Sequence, residues 1–560
     1  MYRSILCTLV AALIHASAAR DVFAHYMVQG LDGGTTHAAD DVKAALAMGI
    51  TGFALNVGDA SALWALDSIS QLFTAASGTD LKFFFSMDLA QDKNAYNFTN
   101  LINRYISNAN YYTYKNLPFL STFSAAGTGP EYWPDFLAKL ERDVYFVPDF
   151  DDGLDYYTNF DDWLGAWGGV VHGIFSWETT WPSTSDTTSN VSTSQDDAIM
   201  TSAHKAGKSY MIGLSSLQYK HWSGNHWYRA GEVNLPERMT QILALHTLPE
   251  FVEILTWNDA GESHYISELH NEGLTPEILA YANNAGFPHT GWQPLITSFI
   301  TAFKNGVDAS GMRPPSGKAM IGSMWYRTIL TSASCSSDSL GKPSGSGAAK
   351  DAVNWAIVVN DGVAGVKAQV WSDGELIWKS SLSAGLNYFS TPGMRAGIQY
   401  IEVVDGENKI LYSAQGAVDV QAEAGSVFCS NVTFCQRYLL STQFSLQLGG
   451  SGPVLLGSTS RLWSLASAKP ASVVTLRCRQ LGHSYNREPT SRGMQTEEPE
   501  SQGCVLHPRL RTVPHCSSVE PGSTAIFARP FEVRAVANPG LLEKLDSGML
   551  PPHALDGGSR

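Results

Sequence analysis

DVFAHYMVQGLDGGTTHAADDVKAALAMGITGFALNV, residues 21–57, decides the fold. An aromatic and β-branched run (22–28) is followed by a polar loop. A helix-period stretch (38–48) then starts near Asp40 and Asp41, stops at Gly49, and gives way to a second run (50–57). Acids at the start and glycine just past the end are the marks of one helix, so the segment reads as strand, helix, strand.

Working outward, the same theme repeats to about residue 258. Eight runs occur, at 22–28, 50–57, 81–88, 117–123, 144–150, 172–177, 208–214 and 251–257, with Pro148 near the end of the fifth. Their spacing of roughly thirty residues is that of a βα unit. Further helices are expected at 235–246, with Pro236 in the first turn, and at 294–304. Eight strands alternating with helices predict a (β/α)8 TIM barrel. The alternative is an open doubly wound sheet, but no glycine-rich phosphate loop follows the first strand.

After a Gly- and Pro-containing connection (306–317) the texture changes. Short alternating runs at 353–360, 366–371, 375–380, 397–404 and 409–413 are separated by Asp361-Gly362, Asp373-Gly374 and Asp405-Gly406. They predict an all-β, sandwich-like domain. Beyond residue 440 the chain is Ser, Pro, Gly and Arg with little periodicity, which cannot bury enough apolar surface to offset chain entropy. A small disulfide-tied module using Cys478, Cys504 and Cys516 is the other reading of that stretch. The expected organisation is a signal peptide (1–19), a catalytic barrel (20–316), a β-sandwich accessory domain (317–440) and a low-order tail (441–560).

The signal peptide rests on Arg3, the apolar run 5–14 and small residues 16–19. About ten apolar residues are too few to span a bilayer. Sequons at Asn97, Asn190 and Asn431 fit secretion, and Cys429 and Cys435 stand close enough to close a small loop in an oxidising compartment. No cysteine falls between residues 8 and 334, so the barrel must be held by its own core. The net charge of -15, without a basic stripe, argues against a nucleic-acid partner. The expectation is a secreted or wall-located monomer with no membrane span.

In a barrel the reacting groups sit at the C-terminal strand ends. There the sequence offers His25 and Tyr26, Asn56, Asp88, then Asp149, Asp151 and Asp152, then Trp177 and Glu178, and finally Trp257, Asn258, Asp259 and Glu262. Carboxylates interleaved with indoles suit glycoside cleavage: one acid protonates the leaving oxygen, one carboxylate activates water or attacks, and rings stack on sugar faces. Asp259 and Glu262 are the expected catalytic pair and the others, Asp152 excepted, the substrate-binding set. Their spacing of three residues permits a separation of about 5–6 Å on a helix or about 10 Å on an extended loop. Each also has a plainer reading. Asp259-x-x-Glu262 is also how a helix starts, Glu178 could be a structural acid, the triple Asp an acidic loop or a Ca²⁺ site, and His25 a packed residue. No spaced His/Cys set suggests zinc, and no cofactor is expected.

The segments 21–28, Gly52-Phe53-Ala54-Leu55-Asn56 and Trp257-Asn258-Asp259-Ala260-Gly261-Glu262-Ser263 resemble the fungal α-1,3-glucanases, or mutanases, of glycoside hydrolase family 71. The similarity runs from about residue 20 to about 435. It implies hydrolysis of α-1,3-glucan, a wall polymer, with inversion and without a metal cofactor. It also implies Asp259 and Glu262 as the acid–base pair, Glu262 being assigned the acid from its slightly higher intrinsic pKa. Ala260 stands where relatives often carry an aromatic residue, and the end of the chain departs from the family pattern. A hydrolase or transglycosylase acting on another glucan, and a non-catalytic wall-binding protein, are the alternatives.

Overall fold

The computed structural model describes residues 20–423, apart from 29–30, 32–35, 183–189, 230, 272 and 337, with the backbone of four two-residue strand pieces between 437 and 455. The expected signal peptide, Cys429, Cys435 and nearly all of the expected tail lie outside the described residues.

In chain order the first strands are β1 (Asp21–Met27), β2 (Gly52–Val57), β3 (Lys82–Asp88), β4 (Thr113–Tyr114), β5 (Leu117–Phe123), β6 (Tyr145–Phe146), β7 (Gly173–Ser176), β8 (Ser209–Leu214), β9 (Gln218–Trp222), β10 (Asn225–Arg229) and β11 (Phe251–Ile254). The helices are α1 (His37–Met48), α2 (Leu63–Ala76), α3 (Thr99–Tyr105), α4 (Tyr132–Leu137), α5 (Phe160–Trp167), α6 (Ser194–Lys205), α7 (Asn234–Leu243), α8 (Pro276–Leu279) and α9 (Gln293–Asn305). α1 ends as its sequence demands: Gly49 takes φ +80°, and its N–H closes on the carbonyls of Ala45 and Leu46.

The sheet runs β5-β3-β2-β1-β11-β8-β7 with every neighbour parallel, and β6 lies parallel on the outer edge of β5. It is curled. Phe23, Phe84, Phe119 and Phe251 come from β1, β3, β5 and β11, yet their ring centroids lie 4.6–5.9 Å apart, closing one end of the curl. Between the outermost strands, His172 N–H donates to Phe146 O at 2.8 Å and Phe175 N–H to Pro148 O at 3.3 Å. Side chains alternate along each strand. On β1, Phe23 and His25 therefore face into the curl, while Tyr26 faces the helices and meets Phe53 at 4.9–5.0 Å together with Trp257.

A second region follows: β12 (Met320–Tyr326), β13 (Ala352–Val359), β14 (Lys367–Ser372), β15 (Glu375–Ser381), β16 (Gly385–Pro392), β17 (Gln399–Val404) and β18 (Ile410–Gln415). These form two antiparallel sheets, one containing β16-β13-β12 and the other β15-β14-β17-β18. Met324, Val353, Trp355 and Ile357 of the first share a core with Val370, Ile401 and Val403 of the second. Their alternate neighbours Ile321, Trp325, Ala356 and Val358 belong to the core of the first region. The expected Asp373-Gly374 turn is there, both residues at positive φ (48° and 79°). β12 and β16 were not among the expected runs. β16 lacks a clean two-residue burial rhythm, and β12 is buried along its whole length, which leaves no polar alternation to read.

Candidate active site

The turn after β11 carries Asp259 and Glu262 to one imidazole. His264, fully buried, donates through Nε2 to Asp259 Oδ2 at 3.1 Å, and Glu262 Oε2 lies 3.8 Å from the same nitrogen. The two carboxylates stay partly open, at 17% and 23% exposure. Glu262 N–H returns to Asp259 Oδ1 at 3.0 Å, the bond pattern of a capped turn. The two side chains and His264 present oxygen and nitrogen atoms within 4.8 Å of one another.

Burial alone would push the Asp259 carboxyl up. The bond and charge of His264, the Glu262 N–H and the charge of Lys220 outweigh it, so Asp259 lies below the ordinary carboxylate range. Glu262 receives Gln218 Nε2 at 2.5 Å and Lys220 Nζ at 3.2 Å. Both donors come from β9, which pairs with β10 in a hairpin that the expected strand runs did not include. Trp222 and Trp227 hold Lys220 between them, their ring centroids 5.6 and 4.7 Å from Nζ. The signal was present in Gln-Tyr-Lys-His-Trp-Ser-Gly-Asn-His-Trp-Tyr-Arg (218–229). Two aromatic-rich runs flank Ser223-Gly224, which adopts φ +55° and +75°, the two-residue turn that matches strand twist.

The other expected residues divide into two groups. His25 faces into the curl, where Nδ1 donates to Glu253 Oε1 at 2.7 Å and the ring meets Trp177 edge-on at 4.9 Å. Trp177 and Trp181 in turn pack on His264, at 6.4 and 5.7 Å. Asp88 ends β3. Burial pushes it up to about 6 against donors that include Gln91 N–H and Asn56, and against the charge of His25. Burial and the charges of Asp151, Asp152 and Glu178 raise Asp149 well above its usual value. Burial likewise lifts Asp151 to about 6, although Glu178 N–H at 2.8 Å and the Tyr157 hydroxyl at 2.5 Å both donate to it. Asp152 is taken by Ser124 and the Ala125 N–H at 2.5 and 3.1 Å. Glu178, 48% exposed, pairs with Arg229 Nη2 of β10 at 2.7 Å.

Three expected contacts with a ligand do not fit this geometry. Tyr26 is fully buried on the helix side, its hydroxyl donating to Asp41 of α1 at 2.9 Å, because it follows His25 in a two-residue alternation. Trp257 is likewise fully buried, against Phe53. Asn258 spends its amide on backbone, accepting Met27 N–H at 2.8 Å and donating to Met27 O at 3.0 Å. Glu253, buried mid-strand beneath His25, is a site-supporting acid that a search of strand ends passes over.

Carboxylates of depressed and raised affinity for protons therefore line one end of a parallel sheet, interleaved with indoles. Among curated proteins the chain is 30% identical to glucan endo-1,3-alpha-glucosidase agn1 of Schizosaccharomyces pombe, over 61% of this chain and 78% of that protein. It is 27% identical to mutanase Pc12g07500 of Penicillium rubens, over 78% of this chain and 91% of that one. Among solved structures it is similar to the GH99 endo-alpha-mannosidase from Bacteroides thetaiotaomicron, with 10% identity, a TM-score of 0.41, and coverage of 52% of this chain and 99% of the other. The model of glycosyl hydrolase family 71 matches residues 18–433, which include strands β1 to β18 and every acid described above. On that match the chain belongs to glycosyl hydrolase family 71 and is a glycoside hydrolase.

Proposed function

We propose that the protein is a secreted enzyme that hydrolyses α-1,3-glucosidic bonds of fungal wall glucan at Asp259 and Glu262. The observation that carries this reading is the gathering of two partly open carboxylates around one buried imidazole, His264, beside the indoles of Trp177 and Trp181. The α-1,3 linkage rests on the names of the relatives, and the wall location on one of them being an ascus wall endo-1,3-alpha-glucanase. We read the curled parallel sheet as an eight-stranded (β/α)8 barrel, β6 and β7 meeting through the His172 and Phe175 bonds, and the two antiparallel sheets as an accessory sandwich.

In this reading Asp259, held low, is the carboxylate that activates water, and Glu262 is the acid that protonates the leaving oxygen. Asp259→Asn and Glu262→Gln are each expected to lower turnover by about 10³-fold or more, about 4 kcal/mol of barrier, while binding to insoluble α-1,3-glucan persists. Release of reducing sugar from α-1,3-, α-1,4- and β-1,3-glucans measures both substrate and site. Equal rates on all three glucans, or full activity in both variants, overturn the proposal.

A second reading concerns stereochemistry. The resemblance implies inversion, and inverting pairs stand about 6.5–9.5 Å apart to admit water, against about 5–5.5 Å in retaining enzymes. Asp259 and Glu262 lie within 4.8 Å at their closest atoms, which favours an inverting couple formed by one of them with an acid from another strand end. Asp88 suits that part: its proton is held to about pH 6, and β3 stands three strands from β11 around the curl. Loss of turnover in Asp88→Asn as deep as in Glu262→Gln, with an inverted anomeric product by NMR, supports it. A retained anomer returns the chemistry to the close pair.

A further inference from the structure

Strand β9 has two working faces. Gln218 and Lys220 point to Glu262; His221, one residue on, points the opposite way. In the hairpin register His221 stands directly across from His226, and the two rings meet at 4.5 Å and 80°. The loop ahead of β13 brings in Asp338, whose two carboxylate oxygens lie 3.0 and 3.1 Å from His221 Nε2. The side chains of His221 and Asp338 are 3% and 1% exposed, and His226 is half-buried. One ligand atom from each of the three lies within 4.8 Å of the others.

We propose that His221, His226 and Asp338 form a binding site for a divalent transition-metal ion of the zinc type. Two imidazole nitrogens and a carboxylate oxygen are a donor set such ions take, and ligands at about 2.0–2.1 Å from a tetrahedral ion stand about 3.4 Å from one another. The His221–Asp338 pair is already within a few tenths of an ångström of that spacing. Leu340 N–H donates to Asp338 Oδ1 at 2.9 Å, the kind of outer bond that orients a ligating carboxylate. Three ligands from three places in the sequence, two on the hairpin and one on the loop, make the ion a clip. It fixes the strand whose other face positions Lys220 and Gln218. The site is independent of which bond the enzyme cleaves.

The full-length protein, stripped by dialysis against a chelator, is titrated with Zn²⁺ and with Co²⁺ at about pH 7.5. One equivalent is expected to bind with Kd of about 1 µM or tighter, with a tetrahedral Co²⁺ visible band, and Zn²⁺ is expected to raise the melting temperature. His226→Ala and Asp338→Asn are each expected to weaken binding by about 10–100-fold. Because Asp259, Glu262 and His264 also present grouped ligand atoms, Glu262→Gln serves as the control and is expected to keep the equivalent. His226 is half-buried on a hairpin, so its variant is expected to fold, and its metal-free melting temperature checks this. No uptake by the wild type, uptake that survives both hairpin-site variants, or loss of uptake in Glu262→Gln alone overturns the proposal.

Discussion

Asp259 is low only because His264, the Glu262 N–H and Lys220 together outweigh its burial. His264→Gln removes the largest of those opposing contributions, so the Asp259 carboxyl rises and is protonated over a wider acidic range. The acidic limb of the pH–rate profile is then expected to move to higher pH while the alkaline limb stays, which initial rates across pH measure. Asp88 runs the other way. Its folded pKa, about 6, is raised by burial above its unfolded value. Its favourable contribution to stability is therefore complete below about pH 4 and disappears as pH rises through about 6. Asp88→Asn is expected to raise the melting temperature near pH 7 and to leave it little changed near pH 4, measured by calorimetry at both. Much of this site could be read in the residues themselves: Asp259, Glu262, Asp88 and Trp177 stand at or just past strand ends, where acids and indoles mark a cleft. Tyr26 and Trp257 could not be separated from them, because β1 is buried on both faces and so shows no polar alternation, and Trp257 lies past the end of β11, where no strand period applies. His264 and Lys220 escaped notice because each acts on a carboxylate through a turn or hairpin, not through sequence spacing.

At the scale of elements, the hairpin β9–β10 matters most, since it supplies Gln218 and Lys220 to Glu262 and Arg229 to Glu178. Gly224 holds φ +75° in its turn, a conformation costly to any residue with a Cβ. Gly224→Val is expected to cost about 1–2 kcal/mol of stability and to lower kcat/KM by more than that loss implies, because a loosened hairpin releases Lys220. Urea unfolding and steady-state kinetics on the same preparation separate the two effects. The strand–helix rhythm was legible because each βα unit carries its own punctuation: α1 stops at Gly49 and α9 at Gly306, both left-handed. α7 ends at Leu243, three residues before the expected position, and Ala-Leu-His carries no stop signal from which that end could be read. Only two residues of the fifth run, Tyr145–Phe146, take strand pairing before Pro148, whose missing N–H cannot join a ladder.

At the scale of the molecule, the second region is attached by burial as well as by chain. Trp325 of β12 is fully buried, donates through Nε1 to Glu232 O at 2.6 Å, and meets Trp292 at 6.0 Å. Trp325→Ala opens a cavity and orphans that carbonyl, at an expected cost of about 3–5 kcal/mol. Because Ile321, Trp325 and Val358 belong to the core of the first region, urea unfolding of the variant is expected to remain one cooperative transition shifted to lower denaturant. Two resolved transitions would show that the regions unfold separately.

Asn258 grips both polar groups of Met27, so its side chain acts as a surrogate peptide stitching the last strand of the curl to the first. The acids one and four positions later are thereby surveyed from a fixed benchmark, and their placement is insulated from drift in the long loops of the rim. An aspartate there could accept but not donate, and would set a negative charge against a carbonyl; an isosteric change of one nitrogen to oxygen would unpick the seam from which both carboxylates are placed.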